Sequence, residues 1–263
     1  MQSQRYTSRR IFIWSIVAVL ALLALGFALR AADSSALWKI VHDDCVPTQQ
    51  RRGLPGRCQL VDLAGHYAVL KDRNGNTHFL LLPTDRITGI ESPALLVPGA
   101  HNYWQAAWQA RHFVQERAGA AIGRDLIGLS INSARRRSQN QLHIHIDCVE
   151  PQLHAALMAH EAQIGAQWSE RPLLLAGHDY FAVKIRAADL DAIDAFRLLD
   201  QRLSDPASQM ADQVLSVVGA QFSDGAPGFY VLDSPAGEHG ATSDVVLDRS
   251  CSVAKATMRS GRQ

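Results

Sequence analysis

The sequence predicts an α+β fold: an antiparallel sheet with flanking helices, arranged as two similar halves and preceded by one transmembrane helix. Three observations carry this expectation. An uncharged apolar run follows an arginine-bearing start. Apolar-rich segments flank an Asn-Gly pair, and a later segment alternates with a period of two. The element order strand, helix, strand, strand occurs twice along the chain, without a sequence repeat to match it.

Arg5, Arg9 and Arg10 precede the run Ile11–Leu29, which carries no charge over 19 residues. That length suits a bilayer-spanning helix, and positive charge before it predicts an inside N-terminus with the remainder outside. A cleaved signal segment is the alternative. Residues 1–32 are therefore read as an anchor or signal segment, 33–170 as a first half and 171–263 as a second half packed on it. The location expected is a bacterial-type inner membrane, single-pass, with the folded part outside the cytoplasm. The oligomeric state stays open, because two similar halves could pair as a pseudo-dimer within one chain.

Composition is ordinary, at 47% hydrophobic and 19% charged residues, and the net charge of +1 gives no global basis for nucleic-acid binding. Cys45, Cys58, Cys148 and Cys251 all follow the apolar run. An even number in an exported chain suggests two disulfides, for which three pairings exist. The favoured one joins Cys45 to Cys58 in a short loop and Cys148 to Cys251 across the chain. No CxxC pair is present, which argues against a zinc ribbon or a thioredoxin-type site.

A short helix is expected near Ser35–Asp43, followed by a disulfide-closed loop. His66–Lys71 and His78–Pro83 read as strands joined through Asn74-Gly75, a hairpin signal. Residues 102–118 read as one helix, with Tyr103, Ala106, Ala107, Ala110, Phe113 and Val114 in a stripe. Trp104 and Trp108 are taken as core beside it. Strands follow at Leu126–Asn132 and Leu142–Val149, then a helix over 152–168. The second half reads as a strand at Tyr180–Ile185, a helix at Ala188–Leu203, and strands at Gln213–Val218 and Gly228–Leu232.

The chemistry is expected on Leu142–Val149. Period-two alternation sends Leu142, Ile144, Ile146 and Cys148 to one face and Gln141, His143, His145 and Asp147 to the other. Two imidazoles then stand side by side above an apolar face. A neutral imidazole is a competent nucleophile near neutral pH and can hold a phosphoryl or nucleotidyl group. Asn132, Arg135, Arg136, Arg137 and Ser138, just upstream, are donors suited to a pyrophosphate. The plainer readings are two surface histidines, half of a metal site, and a solvated basic loop. His178 is a possible proton shuttle, with a structural role as its alternative.

The stretch NSARRRSQNQLHIHIDC resembles the signature of the histidine-triad superfamily, His-φ-His-φ-His-φ-φ with φ apolar, and HFLLLPTDRI resembles that superfamily's strand ending in proline. More closely, IVHDDCVPTQQ, YAVLKD, LLPTDRITGIESP, WQARHFV, SINS and GHDYFAVK make the chain resemble the CDP-diacylglycerol pyrophosphatase family. The likeness covers most of residues 38–187 and, more loosely, Cys251. It implies a histidine-triad-like sheet in a catalytic first half. CDP-diacylglycerol would be the substrate, and CMP and phosphatidate the products in phospholipid metabolism. The middle triad position, His143, would be the nucleophile and His145 its neighbour. Gln141 stands where the first triad histidine is usual. Ser138 and Asn132 fall at phosphate-contacting positions, and Arg137 replaces a more usual glutamine. No cofactor and no metal are implied. Two rivals remain, a histidine-triad hydrolase of a soluble nucleotide diphosphate and an exported metal-binding domain without enzymatic activity.

Overall fold

The computed structural model describes residues 33–254. From Ser35 onward they form one compact unit. The chain opens with helix α1 (Ala36–Lys39), a π-helical turn (Ile40–Cys45) and α2 (Val46–Arg52). Strands β1 (Leu60–Asp62), β2 (Tyr67–Lys71) and β3 (Phe79–Pro83) follow, then helices α3 (Tyr103–Gln109) and α4 (His112–Ala118). Next come β4 (Ile127–Ile131), β5 (Ile144–Val149) and α5 (Pro151–Ala159). The rest comprises β6 (Leu173–Leu175), β7 (His178–Ile185), α6 (Ala195–Arg202), α7 (Pro206–Gln209), β8 (Gln213–Gln221), β9 (Pro227–Pro235), α8 (Ser243–Val246) and β10 (Leu247–Asp248).

The strands pair antiparallel in the order β1-β2-β3-β5-β4-β8-β9-β7-β6, with β10 added to β5. With the edge strand β1 set aside, the order reads the same from β2 and from β6 toward the central β4–β8 pair: a hairpin partner, the strand before the helix, then two consecutive strands. In register, Ser130 faces Ser216 across that centre. His145 lies opposite Ser130, and Leu232 lies opposite Ser216. The position equivalent to His145 in the second half is thus a leucine, and only the first half carries the histidine pair.

One face of the sheet is closed by α3, α4 and α6. Trp104 and Trp108 are 0% and 2% exposed there, and they meet Phe196 and Phe229 at ring-centroid distances of 5.2 and 4.8 Å. Ile144, Ile146 and Cys148 belong to this core. The opposite face carries two separate apolar covers. Val41, Cys45 and Cys58 pack on Ala68, Leu80 and Leu82. Leu153, Leu157, Val246 and Leu247 pack with Tyr180, Val218, Tyr230 and Leu232. Across this face one lateral row runs Leu80, His145, Ser130, Ser216, Leu232, Ala182. It is apolar at its ends and polar in the middle, so the histidines stand between the two covers.

Several expected elements differ. The expected helix over 102–118 is two helices, because Arg111 turns its guanidinium back to donate to the Trp108 carbonyl at 2.6 Å and lies 4.3 Å over the Trp108 ring. The helix expected over 152–168 stops at Ala159, where the His160 Nδ1 takes the Ala156 carbonyl at 2.8 Å. That expected at 188–203 starts only at Ala195, after Asn102 Nδ2 has taken the carbonyls of Leu190 and Ile193. Between β2 and β3 the chain makes a loop over 72–78 rather than a two-residue turn. Asp72 caps the Asn74 N–H and Lys71 Nζ reaches the Gly75 carbonyl, while Gly75 takes a φ of 78°.

The membrane expectation is corrected. Residues 1–32, on which it was read, lie outside the described residues. Among the described residues no helix is long and apolar enough to cross a membrane. Among the described residues the longest α-helix, α5 with 9 residues, rises about 14 Å against a hydrocarbon core of about 30 Å, and the helical run from α1 through α2 carries Lys39, Asp43, Asp44, Arg51 and Arg52. The transmembrane helix and the single-pass inner-membrane location built on it are withdrawn together.

Cys45 is bonded to Cys58 and Cys148 to Cys251, with Cα–Cα distances of 5.7 and 5.1 Å. The second bond spans 103 residues and fastens the segment after β10 to β5. Replacing both Cys148 and Cys251 by alanine is expected to lower unfolding free energy by about 3–5 kcal/mol, read from urea unfolding. A loss under about 1 kcal/mol would contradict a constraining role for this crosslink.

Candidate active site

His143 precedes β5 and His145 lies on it; both are buried, at 7% and 5% exposed. Their ring centroids are 4.9 Å apart at an interplanar angle of 71°. The His143 Nδ1 lies 2.7 Å from the Gln141 carbonyl oxygen. A carbonyl only accepts, so Nδ1 carries the proton and Nε2 keeps its lone pair. Burial holds the His143 pKa below 6.5, against the Gln141 hydrogen bond and the Asp72 charge; the Arg137 charge adds to the lowering. Neutral imidazole with a bare Nε2 is the nucleophilic form.

His145 is held on both sides. Its Nδ1 is 2.9 Å from His78 Nε2, and its Nε2 is 3.4 Å from Asn132 Nδ2. The Asn132 amide is fixed in turn, since its Oδ1 accepts from the Ser243 N–H at 2.9 Å and its Nδ2 donates to Ser243 Oγ at 2.8 Å. An amide nitrogen donates, so His145 Nε2 accepts; His145 Nδ1–H then donates to His78 Nε2, and the His78 proton sits on Nδ1. That atom is buried and lies 3.9 Å from Asp72 Oδ2. Burial lowers the pKa of both His145 and His78, and for His145 the neighbouring His143 and His78 act the same way. Both imidazoles are therefore neutral at pH 7.

The other expected residues separate. Gln141 is buried, and its Nε2 donates to the carbonyls of Pro83 and Asp85 at 3.0 and 2.8 Å, so it braces the end of β3. Arg137 pairs with Glu91 through two bonds of 2.6 and 2.8 Å. The pair runs against Gly89, where an added Cβ would lie 2.1 Å from Arg137 Nη1. Arg135 is exposed and paired with Asp212, while Arg136 and Ser138 are exposed on the loop into β5. His178 belongs to β7, four strands from β5, or roughly 19 Å at about 4.8 Å per strand. It stands apart from the two histidines.

Asp72, His78 and Ser243 were not singled out from the sequence, and Asp147 was placed on the histidine face without a role. His78 shares period-two parity with Leu80 and Leu82, but only the register Leu80 to His145 tells that this face is the histidine face. Asp72, His78 and His145 offer ligand atoms within 4.8 Å of one another, a donor set that suits a zinc-type ion. In the second such cluster, Asp147, Cys148 and Cys251, the sulfurs are spent in the disulfide.

Asp147 lies on the histidine face, buried, with Oδ1 accepting from Thr77 Oγ1 at 2.7 Å and from the Cys148 N–H at 2.9 Å. Its Oδ2 is buried without a partner, and burial pushes its pKa up to about 7. A carboxyl whose folded pKa is raised loses stability as pH climbs from its unfolded value through about 7. Asp147→Asn keeps the acceptor at Oδ1 and cannot ionise. Its stability relative to the parent protein is expected to rise from pH 5 to pH 8 in urea unfolding; parallel curves would contradict this.

The family profile of CDP-diacylglycerol pyrophosphatase matches residues 32–255. The chain is 38% identical over 248 residues to a CDP-diacylglycerol pyrophosphatase of Yersinia pestis, covering 93% of this chain and 95% of that protein.

Proposed function

The chain belongs to the CDP-diacylglycerol pyrophosphatase family, and we propose that it performs the family's hydrolysis through a nucleotidyl intermediate on His143. The activity is hydrolysis of the pyrophosphate bond of CDP-diacylglycerol to CMP and phosphatidate. The observation that carries the mechanistic reading is the His143 Nδ1 bond to the Gln141 carbonyl, which leaves Nε2 free to attack.

In this reading His143 Nε2 bonds to the phosphorus bearing the cytidine, and the bond to the phosphatidate oxygen breaks. Phosphatidate leaves as an anion that is already stable, so no strong acid is required. Water then attacks the same phosphorus, the N–P bond breaks, and CMP leaves with His143 neutral again. The site thus follows histidine-triad chemistry with Gln141 in place of the first histidine.

The first step makes His143 cationic, and its Nδ1–H bond to Gln141 then becomes charge-assisted. A protonated His145 with its ring 4.9 Å away would oppose that charge by about 3 kcal/mol at an effective dielectric of about 20. Holding His145 neutral removes this cost. We assign Asn132 and the exposed Ser138 to the pyrophosphate oxygens. Arg137 is committed to Glu91, so its part is to fix the loop and to favour neutral His143 by its charge.

The test is CMP release from CDP-diacylglycerol in detergent with a chelator present, alongside a CDP-linked substrate lacking the acyl chains. His143→Ala is expected to lose on the order of 10³-fold or more in kcat while the parent protein keeps its rate in chelator. Unchanged release by the variant would overturn the mechanism. Equal rates on both substrates would favour a soluble nucleotide as the natural one.

Activity needs neutral His143, and burial lowers its pKa, so the neutral form persists below pH 6.5. The acidic limb of kcat/KM is expected to have its midpoint below pH 6.5. A midpoint at or above that value would contradict the assignment.

A further inference from the structure

Ser243 sits in α8, 2% exposed, in a part of the chain that carries no triad motif. It makes two bonds to one side chain, Asn132. The backbone N–H of Ser243 donates to Asn132 Oδ1, and Ser243 Oγ accepts from Asn132 Nδ2. An amide can be seated two ways, but a backbone N–H can only donate. That single bond therefore forces Oδ1 toward Ser243 and turns Nδ2 toward His145.

The direction propagates. Asn132 Nδ2–H faces His145 Nε2, His145 Nδ1–H faces His78 Nε2, and His78 Nδ1–H faces the Asp72 carboxylate. Asp72 Oδ2 lies 3.9 Å from that nitrogen, too far for a hydrogen bond, but its negative charge favours a proton there over a lone pair, so the far end has the same polarity. Inverting Asn132 would put its oxygen toward His145 Nε2, move both imidazole protons, and aim the His78 lone pair at Asp72. We propose that Ser243 is a positioning residue. Its backbone N–H, acting through Asn132, fixes the tautomer of His145 and presents an amide donor rather than an acceptor to the substrate's pyrophosphate. This rests on the reading of the site given above. The Asn132–His145 contact is long, at 3.4 Å, which leaves that N–H free to transfer to a phosphate oxygen.

The segment that holds Ser243 is fastened at several points. β10 pairs with Val149 and Cys148, Cys251 is bonded to Cys148, and the Arg249 carbonyl accepts from the Asn76 N–H. The last contact reaches the loop that carries Asp72 and His78. The C-terminal strap thus holds Asn132 at one end of the imidazole chain and touches the loop that carries the other end.

The backbone donor can be removed cleanly. Ser243 is the first residue of its helix, a position that tolerates proline, and Thr242 before it has φ −137° and ψ 166°, the extended conformation that a following proline favours. Ser243→Pro deletes the N–H and Oγ together; Ser243→Ala deletes only Oγ. The measurement is the tautomer of His145 by 15N imidazole correlation spectra, with CMP release measured on the same samples. Native protein is expected to show protonated Nδ1 and bare Nε2 at His145, and Ser243→Ala to keep that tautomer. Ser243→Pro is expected to give mixed or inverted tautomers and at least about a tenfold loss of kcat/KM. The proposal is overturned if Ser243→Pro keeps the native tautomer, if its kcat/KM stays within twofold, or if the alanine variant loses as much. Should the proline variant not fold, the native spectrum decides, since a protonated Nε2 at His145 overturns the proposal. Native protein that releases no CMP would instead sink the underlying mechanism, whatever the tautomer.

Discussion

The register in which β3, β5 and β4 pair decides which way the two histidines face. Side chains alternate along a strand, so a slip of one residue would send His143, His145 and Asp147 into the tryptophan-lined core and Ile144, Ile146 and Cys148 out of it. The observed register aligns Leu80, His145 and Ser130 in one row. It also brings His78 of the neighbouring loop within 2.9 Å of His145. Tautomers, charge state and the position of the free Nε2 all follow from that alignment.

Burial does the electrostatic part. His143 and His145 are covered closely enough that their charged forms are disfavoured, yet each keeps a hydrogen bond that settles its proton. Two neutral imidazoles side by side can accept one new positive charge; two titrating ones could not. The groups that complete the arrangement come from far along the chain. Asp72 and His78 come from the loop before β3, and Ser243 from the strap after β9. The strap is bonded back to β5 by Cys148–Cys251, so the sheet and the site share one crosslink.

Much of this was legible in the residues. The alternation in QLHIHIDC gave the strand, its two faces and the histidine pair, because one buried and one polar face leave a period-two trace. The disulfide pairing and the doubled element order could also be read. The helix lengths could not: Arg111, His160 and Asn102 each end or delay a helix by taking a carbonyl with a side chain, and no periodicity records that. His78 was hidden for a related reason. The strand it precedes looks like any apolar strand, and only cross-strand pairing shows what His78 faces. Ser243 lies in a weakly patterned stretch where its decisive group is a backbone N–H, which every residue but proline has. Arg137 reads as a phosphate ligand in the sequence, but Glu91, 46 positions away, occupies its guanidinium.

The mechanism requires that His143 Nε2 becomes bonded to phosphorus. The most direct measurement is rapid-quench mass spectrometry of the full protein mixed with CDP-diacylglycerol, followed by digestion and sequencing of the peptide that carries His143. A cytidylyl group on His143 is expected to form within the first turnover and to decay as CMP appears. A first turnover in which CMP forms with no adduct on His143, or with the adduct on another residue, would contradict the mechanism.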